Sequence, residues 1–349
     1  MDEINQPVLV TGAAGFIGSN LCDALLADGH QVIGLDSFTD YYDRKVKGAN
    51  LADALASPRF RFIEADLLQA DLPAIFKEVN LVYHLAGQPG VRGSWGQQFE
   101  VYARNNILAT QRLLESSLEA GGVPVVYASS SSLYGNLPTM PLQEDMVPAP
   151  VSPYGVTKLA AEHLCGLYSA VHGLPTVSLR LFTVYGPRQR PDMAFQRFLT
   201  AQRVGQEITI YGDGTQTRDF TYVGDVVRAF RLAADLFHSG RDSADGRGRR
   251  FNIAGGSRAS IREVLSLVAQ ITGQELHVRY LAHQPGDVRD TWADTAQARQ
   301  HLGFQAQLSL EEGLTRQWQH IRSQVEAAPN PPCQPLPAEG EHRLPDQLP

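Results

Sequence analysis

The stretch Thr11-Gly12-Ala13-Ala14-Gly15-Phe16-Ile17-Gly18 decides the fold. It follows the β-branched run Val8-Leu9-Val10 and opens a helical pattern that continues to Ala27. The three glycines divide the work. Gly12 permits a tight turn, Gly15 lets backbone approach a diphosphate, and Gly18 lets the helix pack closely on the strand. The helix N-terminus behind them presents free N–H groups to phosphate charge. A second strand, Gln31-Val32-Ile33-Gly34-Leu35-Asp36, ends on an acid. A carboxylate there accepts hydrogen bonds from adenosine ribose hydroxyls and repels a 2′-phosphate, so the pattern favours NAD over NADP.

Further apolar runs lie at Phe60–Ile63, Leu81–Leu85, Val123–Ala128 and Thr176–Leu181, with helical patterns between most of them, such as Tyr102–Glu119 and Pro153–Val171. This alternation predicts an α/β fold, a doubly wound parallel sheet of the Rossmann type. After about residue 185 the pattern loosens. Helices are expected at Ala194–Arg203 and Val223–Phe237, a strand at Ile208–Tyr211, an exposed loop over Ser239–Arg250, and a last α/β portion from Phe251 to Arg322. The expected division is therefore an NAD-binding domain over 1–180, with segments returning from the C-terminal half, and a smaller α/β substrate-binding domain over 181–322. The segment 329–349 holds seven prolines in 21 residues and is expected to be a disordered tail.

Composition narrows the functional classes. Among 349 residues, 30 basic side chains face 37 acidic ones, a formal net charge of −7. That balance argues against a general nucleic-acid or anionic-membrane binder. Cys22, Cys165 and Cys333 lie far apart, which excludes a disulfide scaffold and a CxxC-type zinc site and suits a reducing compartment. No metal site is expected. No apolar run approaches a membrane span, and Met1-Asp2-Glu3-Ile4-Asn5 is acidic rather than a basic signal-peptide head, so a soluble cytoplasmic protein is expected.

Tyr154-Gly155-Val156-Thr157-Lys158 places Tyr and Lys one helical turn apart on one face. A neighbouring ammonium and a positively charged nicotinamide would both lower the phenol's pKa, making Tyr154 a general base for a substrate hydroxyl. Upstream, Val126-Tyr127-Ala128-Ser129-Ser130-Ser131-Ser132 brings hydroxyls to the C-terminal end of a strand, the edge where doubly wound sheets bind ligands.

With glycine turn, serine cluster and Tyr/Lys pair in this order, the chain resembles the extended branch of the short-chain dehydrogenase/reductase superfamily, the NAD-dependent epimerase/dehydratase family, over about residues 7–322. The GxxGxxG spacing belongs to the same likeness. The resemblance implies Ser130, Tyr154 and Lys158 as the catalytic set. It implies NAD contacts from Gly12, Gly15, Phe16, Ile17, Gly18, Asp36 and Ser37, from the pair Asp66-Leu67, from Leu85-Ala86-Gly87, and from Asn106.

Among branches of that family, dehydratases carry acids in the serine segment, whereas this chain has Ser130-Ser131-Ser132. UDP-glucuronate decarboxylases carry Glu where this chain has Ser132. Simple 4-epimerisation fits best. Asp36-Ser37-Phe38-Thr39-Asp40-Tyr41-Tyr42-Asp43, Gln88-Pro89-Gly90-Val91-Arg92, Ser129–Gly135 and Phe182–Met193 resemble UDP-glucuronate 4-epimerases, although Gly87-Gln88-Pro89-Gly90 departs from the usual Ala-Gln-Ala-Gly. Where UDP-glucose 4-epimerases carry Asn-Pro, this chain has Thr183-Val184. The resemblance implies Thr183, Arg190, Ser130, Ser131 and Ser132 around a sugar carboxylate, Tyr211 against uracil, Arg218 and Arg289 on the diphosphate, and Asp287 on the ribose. Left open are a neutral-sugar epimerase, acting on UDP-glucose or a UDP-N-acetylhexosamine, and a catalytically silent NAD-binding scaffold. The family likeness also implies a homodimer through the helices Tyr102–Glu119 and Pro153–Val171. Leu159, Leu164, Leu167 and Val171 would serve either that bundle or the core.

Overall fold

In the computed structural model, which describes residues 6–238, 248–282 and 288–326, the glycine turn leaves the strand at which the sheet divides. Seven parallel strands, β1 (Val8–Thr11), β2 (Val32–Asp36), β3 (Phe60–Glu64), β4 (Leu81–His84), β5 (Val125–Ser130), β6 (Thr176–Leu181) and β10 (Arg249–Ile253), lie in the order β10-β6-β5-β4-β1-β2-β3. β1 pairs with β2 on one side (Thr11 opposite Leu35) and β4 on the other (Thr11 opposite His84), so chain direction through the sheet reverses there. Crevices for ligands open at such switch points.

The residue types explain the burial. Strand residues alternate between two cores, as the period-2 side-chain geometry requires. Val8, Val10, Leu81, Tyr83, Val126 and Val177 join one, with residues of the helices Phe16–Ala27 and Val223–His238. Leu9, Ile33, Leu35, Val82, Val125 and Tyr127 join the other, with residues of the helices Ala109–Glu119 and Pro153–His172. Both faces being covered, the strands read as continuous apolar runs. Each fully buried aliphatic side chain contributes about 1.5–3 kcal/mol of transfer free energy.

The second half builds a smaller unit. β7 (Val184–Tyr185) runs parallel to β9 (Thr217–Tyr222), which pairs antiparallel with β11 (Ser257–Ser260). β8 (Ile208–Tyr211) pairs with β12 (Val278–Leu281). Its core is aromatic, with Tyr185, Phe195, Phe198, Phe220 and Trp318 packed together and the Phe195 and Phe220 rings 4.6 Å apart.

Several expectations need correction. Arg249 and Arg250 are not loop but the start of β10, because Phe251, Asn252 and Ile253 carry the strand into the main sheet beside β6. The rest of that expected loop, 239–247, lies outside the described residues, as do Cys333 and the tail 329–349. The helix expected from Tyr102 begins at Phe99 and passes through a π-helical turn, Ala103–Leu108, before Ala109–Glu119. Leu159 and Leu164 pack against core clusters, whereas Leu167 and Val171 are 55% and 64% exposed. Among the described residues no helix is long and apolar enough to cross a membrane.

Candidate active site

The glycine turn is a cradle that a side chain would fill. Gly12 holds φ at +72°, and a Cβ on it would lie 2.8 Å from the Ala86 nitrogen. A Cβ on Gly18 would lie 2.1 Å from the Gly12 carbonyl oxygen. The helix Phe16–Ala27 starts at Gly15 with no side-chain cap, which leaves its first N–H groups for an anion. Phe16 is buried, so it meets a ligand there through backbone. Asp36 ends β2 beside the turn. Its carboxylate accepts from the Ala14 N–H at 3.1 Å and the Phe38 N–H at 2.8 Å. Burial pushes its pKa up, while those amides and the Lys47 ammonium oppose the shift. Ser37 is exposed beyond it. These residues fit an adenosine diphosphate: a glycine floor, a free helix N-terminus and an acceptor for ribose hydroxyls.

The other expected cofactor residues line the same edge. Ala86 donates its N–H to Thr11 Oγ1 at 3.2 Å. Asp66 accepts from the Leu68 N–H at 2.9 Å and pairs with Arg104 at 3.2 Å, and Leu67 is buried. Gly87 leaves room for Asn106, whose Oδ1 would lie 2.9 Å from a Cβ on that glycine. Asn106 itself faces protein. It accepts from the Gln88 N–H at 2.6 Å and donates to the Gln88 carbonyl at 3.1 Å and to Thr157 Oγ1 at 2.9 Å. The π-helical turn carries it, and its amide ties the Gly87–Gln88 loop to the helix Pro153–His172.

That helix is held at its start. Ser152 caps it by accepting from the Gly155 N–H at 3.1 Å, Pro153 occupies the first turn, and Gly173 (φ +69°) ends it. Gly155 lets the helix press on the serine turn, since a Cβ there would lie 2.6 Å from the Ser132 carbonyl oxygen. The Ser130 hydroxyl acts on the Tyr154 phenol, favouring its charged form, and its Oγ accepts from the Ser132 N–H at 3.2 Å. Lys158 is buried, with Nζ 4.6 Å from the Tyr127 ring centroid. The structure therefore brings Ser130, Tyr154 and Lys158 to the C-terminal edge of β5.

The expected pKa shift of Tyr154 takes a different form. Burial raises it, and the opposing influences are Ser130 and the Arg190 charge rather than Lys158. Burial lowers Lys158 itself to about 8, against weaker support from Cys165 and Glu162. On its own side chains the site thus keeps Tyr154 protonated. The activating ammonium is less firmly charged than the spacing implies.

Below this edge lie groups that sequence reasoning missed. His84 joins Thr11 Oγ1 at 2.8 Å to Thr110 Oγ1 at 3.0 Å, and burial lowers its pKa to about 3, so it is neutral. Ser129 donates to Glu162 at 2.6 Å, and Glu162 takes a buried ion pair from Arg180 at 2.7 Å. Arg180 also donates to the Tyr134 hydroxyl at 2.6 Å, which donates to Asn252 at 2.7 Å. One polar chain therefore fastens β5, the helix Pro153–His172, β6 and β10. No local motif announces it, because its members are spread from 129 to 252.

On the substrate side the expected residues are already engaged. Arg190 pairs in a fork with Asp192, Nε to Oδ1 at 3.0 Å and Nη2 to Oδ2 at 2.9 Å, and its charge acts on Tyr154. Tyr211 carries Arg92 over its ring at 4.5 Å. Arg218 donates to the Arg289 carbonyl at 2.6 Å, so those two lie together, while the Arg289 side chain is exposed. Thr183 anchors its loop by accepting from the Thr221 N–H at 2.9 Å. Ser131 and Ser132 are half-buried beside Ser130. Asp287 lies outside the described residues. Arg92 and Asp192 stood in segments singled out in the sequence, but their roles appear only when β4, β7 and β8 converge.

A Rossmann-type sheet, a glycine turn at its switch point and a Ser–Tyr–Lys set define an NAD-dependent short-chain dehydrogenase/reductase enzyme. The model of the NAD dependent epimerase/dehydratase family matches residues 8–254, and the chain belongs to that family. It is 44% identical to an uncharacterised UDP-glucose epimerase, YtcB of Bacillus subtilis (strain 168), over 90% of this chain and 98% of that one. The UDP-glucuronic acid 4-epimerase of Bacillus cereus, solved with UDP-glucuronic acid and NAD, is 42% identical with a TM-score of 0.86, covering 91% of this chain and 99% of that one. MoeE5, solved with UDP-glucuronic acid and NAD, is 45% identical with a TM-score of 0.80 over the same shares, and it has also been solved with UDP-glucose and NAD. This chain is an NAD-dependent nucleotide-sugar epimerase.

Proposed function

We propose that the chain interconverts UDP-glucuronate and UDP-galacturonate at C4. Bound NAD would supply a hydride acceptor and donor for C4 of the sugar. The chain's own residues do the rest. Gly12, Gly15, Gly18 and the Phe16 helix end hold the diphosphate of the cofactor, and Asp36 holds its ribose. Tyr154 removes the C4 hydroxyl proton and later returns it, with Ser130 fixing the oxygen and Lys158 supplying positive charge. Tyr211, Arg218 and Arg289 anchor the UDP, with Asp287 on its ribose, while the sugar turns.

The observation that carries the uronate reading is the guanidinium of Arg190 in the loop after β7, forked to Asp192, whose charge acts on Tyr154. A cation whose charge reaches the C4 base can also meet the C5 carboxylate of a uronate, and a guanidinium suits a carboxylate. With Thr183, Ser131 and Ser132, Arg190 would hold the carboxylate so that its C–C bond stays out of line with the C4 carbonyl, which retards decarboxylation of the β-keto acid. The test is turnover of UDP-glucuronate and UDP-glucose with product separation. Arg190→Ala is expected to release pentose product or lose the uronate preference, and normal rate with normal product would refute the assignment.

A second reading, a neutral-sugar UDP-hexose 4-epimerase, is favoured by one observation: Asp192 already answers the Arg190 charge. For assembly we propose a homodimer through the outer faces of the helices Ala109–Glu119 and Pro153–His172, supported by exposed Val156, Leu167 and Val171. Cys22 and Cys165 are buried and unbonded, which suits the cytoplasm. We propose that the chain divides into an NAD-binding part, 1–180, and a mainly substrate-binding part, 181–322, with β10 as the returning segment.

A further inference from the structure

Loops from three strands meet around the Tyr41 hydroxyl. Tyr41, from the loop after β2, donates its hydroxyl to Asp192 Oδ2 at 3.2 Å, and the Arg190 guanidinium lies 5.6 Å from the Tyr41 ring centroid. Gly90, from the loop after β4, makes room for that tyrosine: its φ is +98°, and a Cβ would lie 2.3 Å from Tyr41 Oη. Tyr102 steadies the same loop by donating to the Pro89 carbonyl at 2.8 Å. Arg190 and Asp192 come from the loop after β7, which Arg188 clamps to Asp23 at 2.5 Å and Asp53 at 2.9 Å. Arg190 thus stands among tyrosines, its charge acting on Tyr41, Tyr42, Tyr102 and Tyr154, and Asp192 is the acid paired with it.

We infer that Asp192 is a positioning residue that sets sugar specificity by cancelling the charge of Arg190 and fixing its fork. This inference rests on the proposal that Arg190 faces the sugar. The fork occupies the Nε and one Nη2 proton of Arg190 and leaves the Nη1 edge to donate. A uronate then gains hydrogen bonds from that edge but meets a pair of no net charge, with Asp192 repelling it. A neutral hexose meets no uncompensated cation that must be desolvated without a partner. The pocket therefore distinguishes the two sugars by hydrogen-bond geometry more than by charge, and the carboxylate of Asp192 limits the preference for uronate.

Asp192→Asn keeps the shape and an acceptor for Arg190 while removing the charge. The experiment measures equilibrium binding of UDP-glucuronate and of UDP-glucose to the NAD-loaded full chain, together with kcat and KM for each. The ratio of affinities is expected to move toward UDP-glucuronate by about tenfold, the size of one partly screened charge contact. The change should sit in KM more than in kcat. Asp192→Glu, which restores the charge, should return the ratio to near the starting value. An unchanged ratio in Asp192→Asn, a ratio moved toward UDP-glucose, or an equal loss for both sugars would overturn the inference. Because binding is read apart from turnover, a chain that epimerises neither sugar refutes the proposed function, while the shift in the binding ratio still decides the role of Asp192.

Discussion

Two loops leave parallel strands and enter helices, and they are held in opposite ways. The turn after β1 is short and is fixed by backbone: the Gly12 N–H donates to the Leu35 carbonyl of β2 at 2.8 Å, and the Gly15 N–H to the Gly12 carbonyl at 3.0 Å. The loop after β7, running to the helix Ala194–Arg203, is fixed by long side chains. Arg188 reaches Asp23 and Asp53, the Asn20 amide donates to the Pro187 carbonyl at 3.2 Å, and the Gln317 amide donates to Gln189 at 2.9 Å. The second loop is fastened to the helix that the first one starts. The glycine turn is thus held by backbone, and the loop after β7 by side chains from more than a hundred positions away.

The largest effect is expected where the first loop is broken. Gly18→Ala puts a methyl 2.1 Å from the Gly12 carbonyl oxygen and 3.1 Å from Ala13 Cα, both backbone atoms with no rotamer to change. The helix must slide or the turn must open. The expected cost is about 4 kcal/mol, with loss of NAD from the purified protein, read by thermal unfolding and by cofactor release. A variant that folds at the parental temperature and keeps NAD would show that the turn has slack the structure does not display.

That contrast explains what was legible beforehand. The glycine turn, Asp36 and the Tyr154/Lys158 spacing are local patterns, each readable within one strand–turn–helix–strand stretch or one helical turn of sequence. The sheet followed from its apolar runs because burial on both faces leaves no polar alternation to confuse them. By contrast, β10 was hidden. Arg249 and Arg250 look like the end of a polar loop, and only pairing with β6 makes them strand. The Glu162–Arg180 pair was equally silent, because an acid in a helix and a base in a strand are each ordinary until packing buries them together. Asp192 stood in plain view two residues from Arg190, yet their fork depends on the chain turning between them and on Tyr41 arriving from β2.

The catalytic helix sits between these two regimes. Spacing placed Lys158, but burial sets its charge. Its pKa falls from 10.5 to about 8 on folding because the ammonium leaves water. Between those values the unfolded chain binds more protons than the folded one, so folding stability rises with pH across the window from about 8 to about 10.5. Below that window both states carry the proton and the burial penalty is paid in full. Relative to Lys158→Met, the wild-type chain is expected to gain up to about 3 kcal/mol between pH 8 and pH 10.5, measured by denaturant unfolding at each pH. A flat difference would mean that the ammonium is solvated or paired in solution.

The smallest effects test whether long side chains really hold the second loop. Arg188 is a non-glycine residue with φ at +67°, a conformation that costs an L-residue about 1 kcal/mol or more. Its side chain is only 11% exposed, and its two ion pairs compensate that strain. Arg188→Ala keeps the strain and loses both pairs, so a loss of about 2 kcal/mol and a several-fold rise in KM for the UDP-sugar are expected, with NAD binding unchanged. Arg188→Gly also loses the pairs but relaxes the backbone, so it should fall short of the alanine variant's loss by about 1 kcal/mol. The control is Arg44→Ala, which removes an ion pair to Glu64 in which Arg44 is 60% exposed. Solvent screens that pair, and no change in melting temperature or KM is expected. If Arg188→Ala behaved like Arg44→Ala, the clamp across the two halves would be ornamental and the loop would owe its shape to Gln189 and Gln317. If glycine and alanine at 188 were equally destabilising, the positive φ would carry no strain and the ion pairs alone would account for the loss.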